Sequence, residues 1–153
     1  MLKVRSKAPP FTLTRLDRGE SMLKELLEQG PALVVFFKVS CPTCQFALPF
    51  LERIGKGSLP VVLISQDDAS GTRRFHDKFG ITLTTLLDQA SHRYPASNAF
   101  AIEHVPSMFL IETDGTISFT SEGFLKSDLE KLGERAGVAP FRVDEAVPSW
   151  KAG

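Results

Sequence analysis

The chain contains two cysteines, Cys41 and Cys44, which lie three positions apart directly after an apolar run. This spacing suits three kinds of site. The pair could be a redox-active dithiol, half of a metal site, or a peroxide-reactive thiol beside an unrelated cysteine. The residues around the pair must separate these possibilities.

Cys41 is predicted to stand where a buried strand meets the first turn of a helix. Residues 31–39, PALVVFFKV, are β-branched and aromatic without alternation, as expected of a central strand covered on both faces. The period becomes helical from Pro42 to about Ile54, and proline is favoured at the first position of a helix. Unpaired backbone donors and the helix dipole would then favour a thiolate at Cys41.

Cys44 follows one helical turn later on the same face. A mixed disulfide on Cys41 could therefore be attacked by Cys44 and released, which leaves a Cys41–Cys44 disulfide. Since Cys44 lies inside the helix, further from solvent and from the dipole's end, we predict that Cys41 is the nucleophile and Cys44 the resolving thiol.

The metal alternative has little support in the sequence. A structural zinc site usually takes four Cys or His ligands, and the three histidines, His76, His92 and His104, are not at ligand spacing from one another. We interpret each histidine as a surface or core side chain. Disulfide exchange is favoured over a metal site or an inert pair, and no metal and no cofactor are expected.

The remaining patterns predict an α/β layer structure with a mixed sheet. Ser21 and Ser70 are the expected N-caps of the two helices that begin there. The other elements are a strand or hairpin over 8–20, helices over 21–30, 70–80 and 126–137, a buried strand over 59–65, short runs over 84–87 and 91–100, and a hairpin over 105–123.

Composition and termini limit the function further. The chain has 153 residues, 42% of them hydrophobic, and its 18 basic and 18 acidic side chains cancel. Nucleic acid and membrane partners are therefore disfavoured. The first residues lack the apolar segment of a secretory signal, so we expect a cytoplasmic protein, or an extracytoplasmic one if a leader has been removed.

Several motifs together resemble the thioredoxin-like superfamily. CPTC follows an apolar strand, Pro49 lies five residues beyond Cys44, and HVPSMFLIETDG follows about sixty residues later. APPFTL and LISQDD are similar to the redoxin branch, which groups alkyl hydroperoxide reductase/thiol-specific antioxidant (AhpC/TSA) proteins with thioredoxin-like oxidoreductases. The match covers about Lys7 to Gly137.

The resemblance implies a thioredoxin fold, with a central mixed β-sheet flanked by helices and an N-terminal strand or hairpin extension. That domain would occupy residues 1–138. Residues 139–153, which include Trp150, contain Pro140 and Pro148 and have no period, so we expect them to form a loosely held C-terminal tail. The implied activity is thiol-disulfide exchange in cell redox homeostasis and antioxidant defence.

The resemblance also implies a substrate site beside the cysteines. Val105 and Pro106 would be joined by a cis peptide bond that faces the pair, and the backbone there would present an extended substrate. Pro42 and Thr43 complete the expected substrate-binding residues and would tune the redox potential. The substrate would be a disulfide- or thiol-bearing protein or small molecule, and the redox partner another dithiol protein.

Departures from the family leave the direction of the reaction open. Val35, Ala47 and Ser40 stand where relatives carry a buried acid, a glutamate and a tryptophan. Peroxiredoxins have Thr or Ser three residues before the peroxidatic cysteine, whereas this chain has Lys38. A hydroperoxide-reducing thiol peroxidase is therefore the alternative function, and a non-catalytic redox sensor is a third.

Overall fold

The computed structural model describes all residues from Met1 to Gly153. The strands are β1 (Thr12–Arg15), β2 (Glu20–Met22), β3 (Ala32–Phe37), β4 (Val61–Ser65), β5 (Thr85–Leu87), β6 (Ser107–Ile111), β7 (Ile117–Glu122), β8 (Phe124–Leu125) and β9 (Trp150–Lys151). The helices are α1 (Leu23–Leu26), α2 (Pro42–Ile54), α3 (Ala69–Phe79), α4 (Pro95–Ala99) and α5 (Lys126–Ala136), with a 3₁₀ turn at Ala90–His92.

Seven strands form one mixed sheet in the order β2-β1-β5-β4-β3-β6-β7. The central pairs β3–β4 and β4–β5 are parallel, and the outer pairs are antiparallel. The N-terminal hairpin β1–β2 extends the sheet beyond β5. The predicted α/β class with a central mixed sheet and flanking helices is therefore confirmed.

Both faces of the sheet are covered, which explains the unbroken apolar run in β3. Leu33, Val35 and Phe37 belong to one buried cluster, together with apolar residues of α2 and α5. Val34 and Phe36 belong to a second cluster on the other face. Since successive strand residues point to opposite faces, a strand that is covered twice needs apolar residues at every position.

The two predicted serine caps are wrong, and polar neighbours explain the difference. Ser21 lies in β2, where its hydroxyl accepts a hydrogen bond from Arg15, and α1 begins after Met22. The N-cap of α3 is Asp68, whose carboxylate accepts from the Gly71 backbone at 2.8 Å. Aspartate caps a helix as well as serine does, and this one stands nearer the strand that precedes it.

The C-terminal residues are more ordered than the aperiodic sequence predicts. β9 pairs antiparallel with β8, with Trp150 opposite Leu125 and Lys151 opposite Phe124. Phe141 also packs on Phe50 at 4.8 Å between ring centroids. The expectation of a loosely held tail is therefore wrong, because backbone pairing and aromatic contacts hold a segment that has no period of its own.

None of the helices combines the length and the apolar character needed to cross a lipid bilayer.

Candidate active site

Cys41 is the N-cap residue of α2, directly beyond the end of the central strand β3. Its Sγ accepts a hydrogen bond from the Cys44 backbone N–H at 3.2 Å, and Pro42 occupies the first turn of the helix. The Cys41 side chain is partly exposed. A sulfur in this position meets the donors that a helix leaves unpaired at its start, which is an environment suited to negative charge.

Cys44 lies within α2 and has no exposed surface. Burial raises the pKa of its thiol well above the ordinary value, and the nearby Cys41 and Asp67 raise it further. The two cysteines therefore share one face of the helix but differ in environment. Near neutral pH, the buried thiol keeps its proton until a reaction at Cys41 changes its surroundings.

The loop before β6 forms the opposite wall of the site. β6 lies antiparallel to β3 with Ser107 opposite Phe36, so Val105 and Pro106 come next to the residues that follow β3. The Val105–Pro106 peptide bond is cis, as the family resemblance implies. The Cys41 thiol donates to the Val105 carbonyl at 3.4 Å, which joins the two walls.

Asp67 is a residue of the site that the sequence reasoning missed. Its carboxylate accepts a hydrogen bond from the Val39 backbone N–H at 2.8 Å and so holds the loop that leads to Cys41. β4 is parallel to β3 with Ser65 opposite Phe37, so the residues after both strands meet at one edge. Polar residues that follow two adjacent parallel strands are the signal that could have identified it.

Thr43 connects the start of α2 to the C-terminal residues. Its side chain is buried, and its hydroxyl donates to the Ala152 carbonyl. Pro42 and Thr43 line a shallow pocket together with Trp150, Lys151 and Ala152. The structure thus brings all six predicted site residues, Cys41, Cys44, Pro42, Thr43, Val105 and Pro106, around one end of the sheet.

The residues that depart from the family pattern leave no acid beneath the cysteines. Val35 and Ala47 are both fully buried in the apolar cluster that surrounds Cys44. Ser40 and Lys38 are exposed, and Lys38 lines an open pocket beside Cys41. The Asp67 carboxylate is the carboxylate whose charge acts on Cys44 and raises the pKa of its thiol.

The histidines differ in their distance from the site. His76 is a core residue whose Nε2 lies 2.7 Å from the Thr85 hydroxyl, and burial lowers its pKa. His104 is exposed and lines the pocket beside Cys41, a place that its sequence position did not reveal. No group of three or more His, Cys, Asp or Glu side chains comes together in a way that could hold a metal ion.

Comparison with known proteins identifies the family of this chain. The AhpC/TSA family model matches residues 4–120, which include both cysteines and both walls of the site. The chain belongs to the AhpC/TSA family. The oxidoreductase class predicted from the sequence is thereby confirmed, together with the redoxin branch.

Proteins similar to this AhpC/TSA protein include one named as a peroxiredoxin and one named as a thiol-disulfide oxidoreductase. The Helicobacter pylori (strain ATCC 700392 / 26695) protein bcp, named as a peroxiredoxin, is 29% identical over an alignment 150 residues long; the alignment covers 86% of this chain and 98% of that protein. The thioredoxin domain of a thiol-disulfide oxidoreductase from Bacteroides vulgatus superposes with a TM-score of 0.77 at 18% identity, covering 88% of this chain and 98% of that one.

A second structural neighbour is peroxidoxin BcpB from Mycobacterium tuberculosis, with a TM-score of 0.73 at 17% identity and coverage of 89% of this chain and 94% of the other. At such identities the two superpositions establish the thioredoxin-like fold of this AhpC/TSA protein. The choice of substrate depends on its own residues.

Proposed function

We propose that the protein is a thiol-disulfide oxidoreductase in which Cys41 exchanges with substrate and Cys44 resolves the product. One observation carries this proposal. Cys41 is accessible at the start of α2 and accepts the Cys44 backbone N–H, whereas Cys44 is enclosed one turn later on the same helix. An accessible sulfur at a helix start can attack, and a buried neighbour cannot be reached first by an external disulfide.

The reaction in the reducing direction proceeds in two exchanges. The Cys41 thiolate attacks one sulfur of a substrate disulfide, the substrate S–S bond breaks, and the leaving thiolate takes up a proton. Cys44 then loses its proton and attacks Cys41, so that the mixed disulfide breaks and the second substrate thiol leaves. The substrate gains two electrons, which the Cys41–Cys44 pair loses as it becomes a disulfide, and two protons, one released by Cys44 and one taken from solvent because Cys41 reacts as a thiolate.

The walls of the site supply the accessory roles. Val105 and Pro106 would present the backbone of an extended substrate to Cys41, and Pro42 and Thr43 would shape the turn that sets the potential. The substrate is a thiol- or disulfide-bearing protein or small molecule, and a second dithiol protein would restore the reduced pair. The cytoplasmic location predicted from the sequence stays a prediction.

The resolving role of Cys44 can be tested by trapping. In a Cys44→Ser variant, the mixed disulfide on Cys41 cannot be released from within, so we expect defined adducts that disappear on reduction. Mass spectrometry of the isolated adducts should place the bond on Cys41. A Cys41→Ser, Cys44→Ser double variant is the matched control and should carry no adduct.

The peroxidase alternative predicts a different result from the same variant. Rapid turnover of a hydroperoxide by Cys44→Ser, without adducts, would assign the chain to that class. Lys38 stands where peroxiredoxins place a peroxide-binding hydroxyl, which argues against this outcome.

A further inference from the structure

The last residues of the tail lie across the candidate active site. We use "strap" for residues 149–153. Its first half is held by the β8–β9 pairing and by the Lys126 N–H, which donates to the Ser149 carbonyl at 2.9 Å. Its second half is held by the Thr43 hydroxyl, which donates to the Ala152 carbonyl. The strap is therefore fixed through its backbone to the segment that carries Cys41.

Two glycines allow the strap to approach closely. A Cβ added to Gly123, whose φ is +76°, would lie 2.8 Å from the Lys151 carbonyl oxygen. A Cβ added to Gly153 would lie 2.7 Å from the carbonyl oxygen of Val105, the same atom that accepts the Cys41 thiol. Backbone thus packs on backbone, and the strap fills the space between the Val105 loop and Gly123.

The chain before the strap is itself anchored. Phe141 packs against Phe50 and Phe124. The Arg53 guanidinium donates to both carboxylate oxygens of Glu145, at 2.7 and 2.9 Å, and also to the Pro140 carbonyl. These contacts keep the strap close to β8 and Thr43. Binding of the strap at the site is therefore intramolecular, and weak contacts are sufficient to hold it there.

Beyond the end of the strap, Cys41 faces an open pocket that Gly153 borders. A pocket of about 440 Å³ is lined by Lys38, Cys41, Gln66, Ile102 to Val105, and Gly153. This volume suits a small molecule, because drug-sized ligands occupy clefts of about 300–1,000 Å³. Cys41 thus faces a pocket that a small molecule can enter, while the strap lies along Thr43, Gly123 and the Val105 carbonyl at the border of that pocket.

We propose that the strap occupies the place of an extended polypeptide substrate, so that the resting protein admits small disulfides and admits polypeptide disulfides only after the strap leaves. An extended peptide binds through main-chain hydrogen bonds to an exposed backbone edge, and the strap already uses the edge of β8 and the Thr43 hydroxyl. The inference rests on the proposed exchange function of Cys41. It adds a substrate class and a regulatory contact to that function.

Chemical labelling tests the strap without requiring turnover. Reduced Cys41 is labelled with iodoacetamide and, separately, with a maleimide carried on an extended peptide of about eight residues. In a variant that lacks residues 148–153, we expect the peptide probe to react about tenfold faster, because a strap closed nine-tenths of the time leaves about a tenth of the molecules competent. Iodoacetamide labelling should change by less than about twofold.

Two substitutions keep the test valid if the truncated chain folds poorly. Gly153→Val places a Cβ against the Val105 carbonyl and should also raise the rate for the peptide probe selectively. Val143→Ser is the matched control in the same tail, since Val143 is fully exposed and should leave both rates unchanged. In Gly153→Val, which keeps Trp150, the only tryptophan of the chain, release of the strap should lower the fluorescence anisotropy of Trp150.

Equal acceleration of both probes, or of neither, in a folded variant would overturn the strap, whatever the enzyme's activity. A selective change in labelling, combined with no reduction of either a small disulfide or insulin, would instead retain the strap and overturn the exchange function. If both proposals hold, insulin reduction should rise in parallel with peptide labelling.

Discussion

The segment that contains the cysteines, residues 38–45, and the C-terminal tail, residues 139–153, meet at one site but are held there differently. The first continues directly from a fully buried central strand into a long helix. The second contributes one two-residue strand. It is held by hydrogen bonds from residues far away in the sequence: Arg53 donates to the Pro140 carbonyl, 87 positions away, and Thr43 donates to the Ala152 carbonyl, 109 positions away. The comparison indicates that local structure provides the reactive thiol, while distant contacts determine what can reach it.

The largest expected effect concerns the segment with the cysteines. Cys41→Ser should lower disulfide reduction by about three orders of magnitude or more, because a hydroxyl is a far weaker nucleophile than a thiolate. Reduction of a small disulfide under excess dithiol provides the measurement. Ser40→Ala, a change at the exposed neighbour, is the control and should stay near the wild-type rate. Substantial activity in Cys41→Ser would mean that Cys44 attacks first.

The tail should show its own effect in stability. Phe141→Ala removes a ring that packs on Phe50 and Phe124, and we expect a loss of about 2 kcal/mol in the free energy of unfolding. This is less than for a fully buried phenylalanine, because Phe141 is only partly buried. Urea denaturation provides the measurement, with Val143→Ala as the neutral control. Equal stability of Phe141→Ala and wild type would show that the tail is bound to the domain only weakly.

The buried cysteine should make the reduced protein sensitive to alkali. Burial raises the pKa of Cys44 above its ordinary value of 9.0, so above that pH the unfolded chain loses a proton that the folded protein keeps. The free energy of unfolding should then fall by up to about 1.4 kcal/mol per pH unit, and this contribution should be absent below pH 9. Cys44→Ala should remove the added slope in urea titrations of the reduced protein at pH 8 to 10. Equal slopes of the free energy of unfolding against pH in wild type and Cys44→Ala would refute this prediction.

The same contrast explains how much the sequence could predict. β3, α2 and the hairpin around Gly115 could be predicted from the sequence, because each has its own periodicity or turn signal. The pairing of β8 with β9 could not be predicted, since strands of two residues carry no pattern and their partners are about 26 positions apart. Trp150 therefore looked like part of an unattached tail.

The missed residue Asp67 illustrates an intermediate case. Its sequence context, LISQDD, resembled the redoxin branch, but its contact to Val39 depends on the alignment of β3 with β4. The order and direction of two strands must be known before the residues beyond them can be paired. The topology rule for parallel strands then leads to Asp67.

Asp67→Asn should alter the second exchange more than the first. The amide can keep the hydrogen bond from the Val39 N–H, whereas its neutral charge removes one of the influences that raise the pKa of Cys44. Burial is the larger cause, so we expect closure of the Cys41–Cys44 disulfide to accelerate by less than about tenfold at neutral pH. Stopped-flow measurement of closure from a preformed mixed disulfide gives the rate. Asp68→Asn is the matched control, and a slower closure in Asp67→Asn would instead indicate that the carboxylate accepts the Cys44 proton.

Glu145→Gln should give the smallest effect and links the two regions. The carboxylate holds the tail to α2 through Arg53, whose hydrogen bonds lower the pKa of Glu145 to about 2. The stability that this contact contributes is therefore complete above the ordinary pKa of 4.5 and is lost as the pH falls through about 2. At neutral pH we expect labelling of Cys41 by the peptide-borne maleimide to rise by about twofold in Glu145→Gln, with iodoacetamide labelling unchanged. Glu134→Gln on the exposed face of α5 is the control. Glu145→Gln could change neither rate while deletion of residues 148–153 raises the rate of labelling by the peptide-borne maleimide. That result would show that the strap is held by β9 and Thr43 alone, and that the ion pair serves only to fold the tail onto α2.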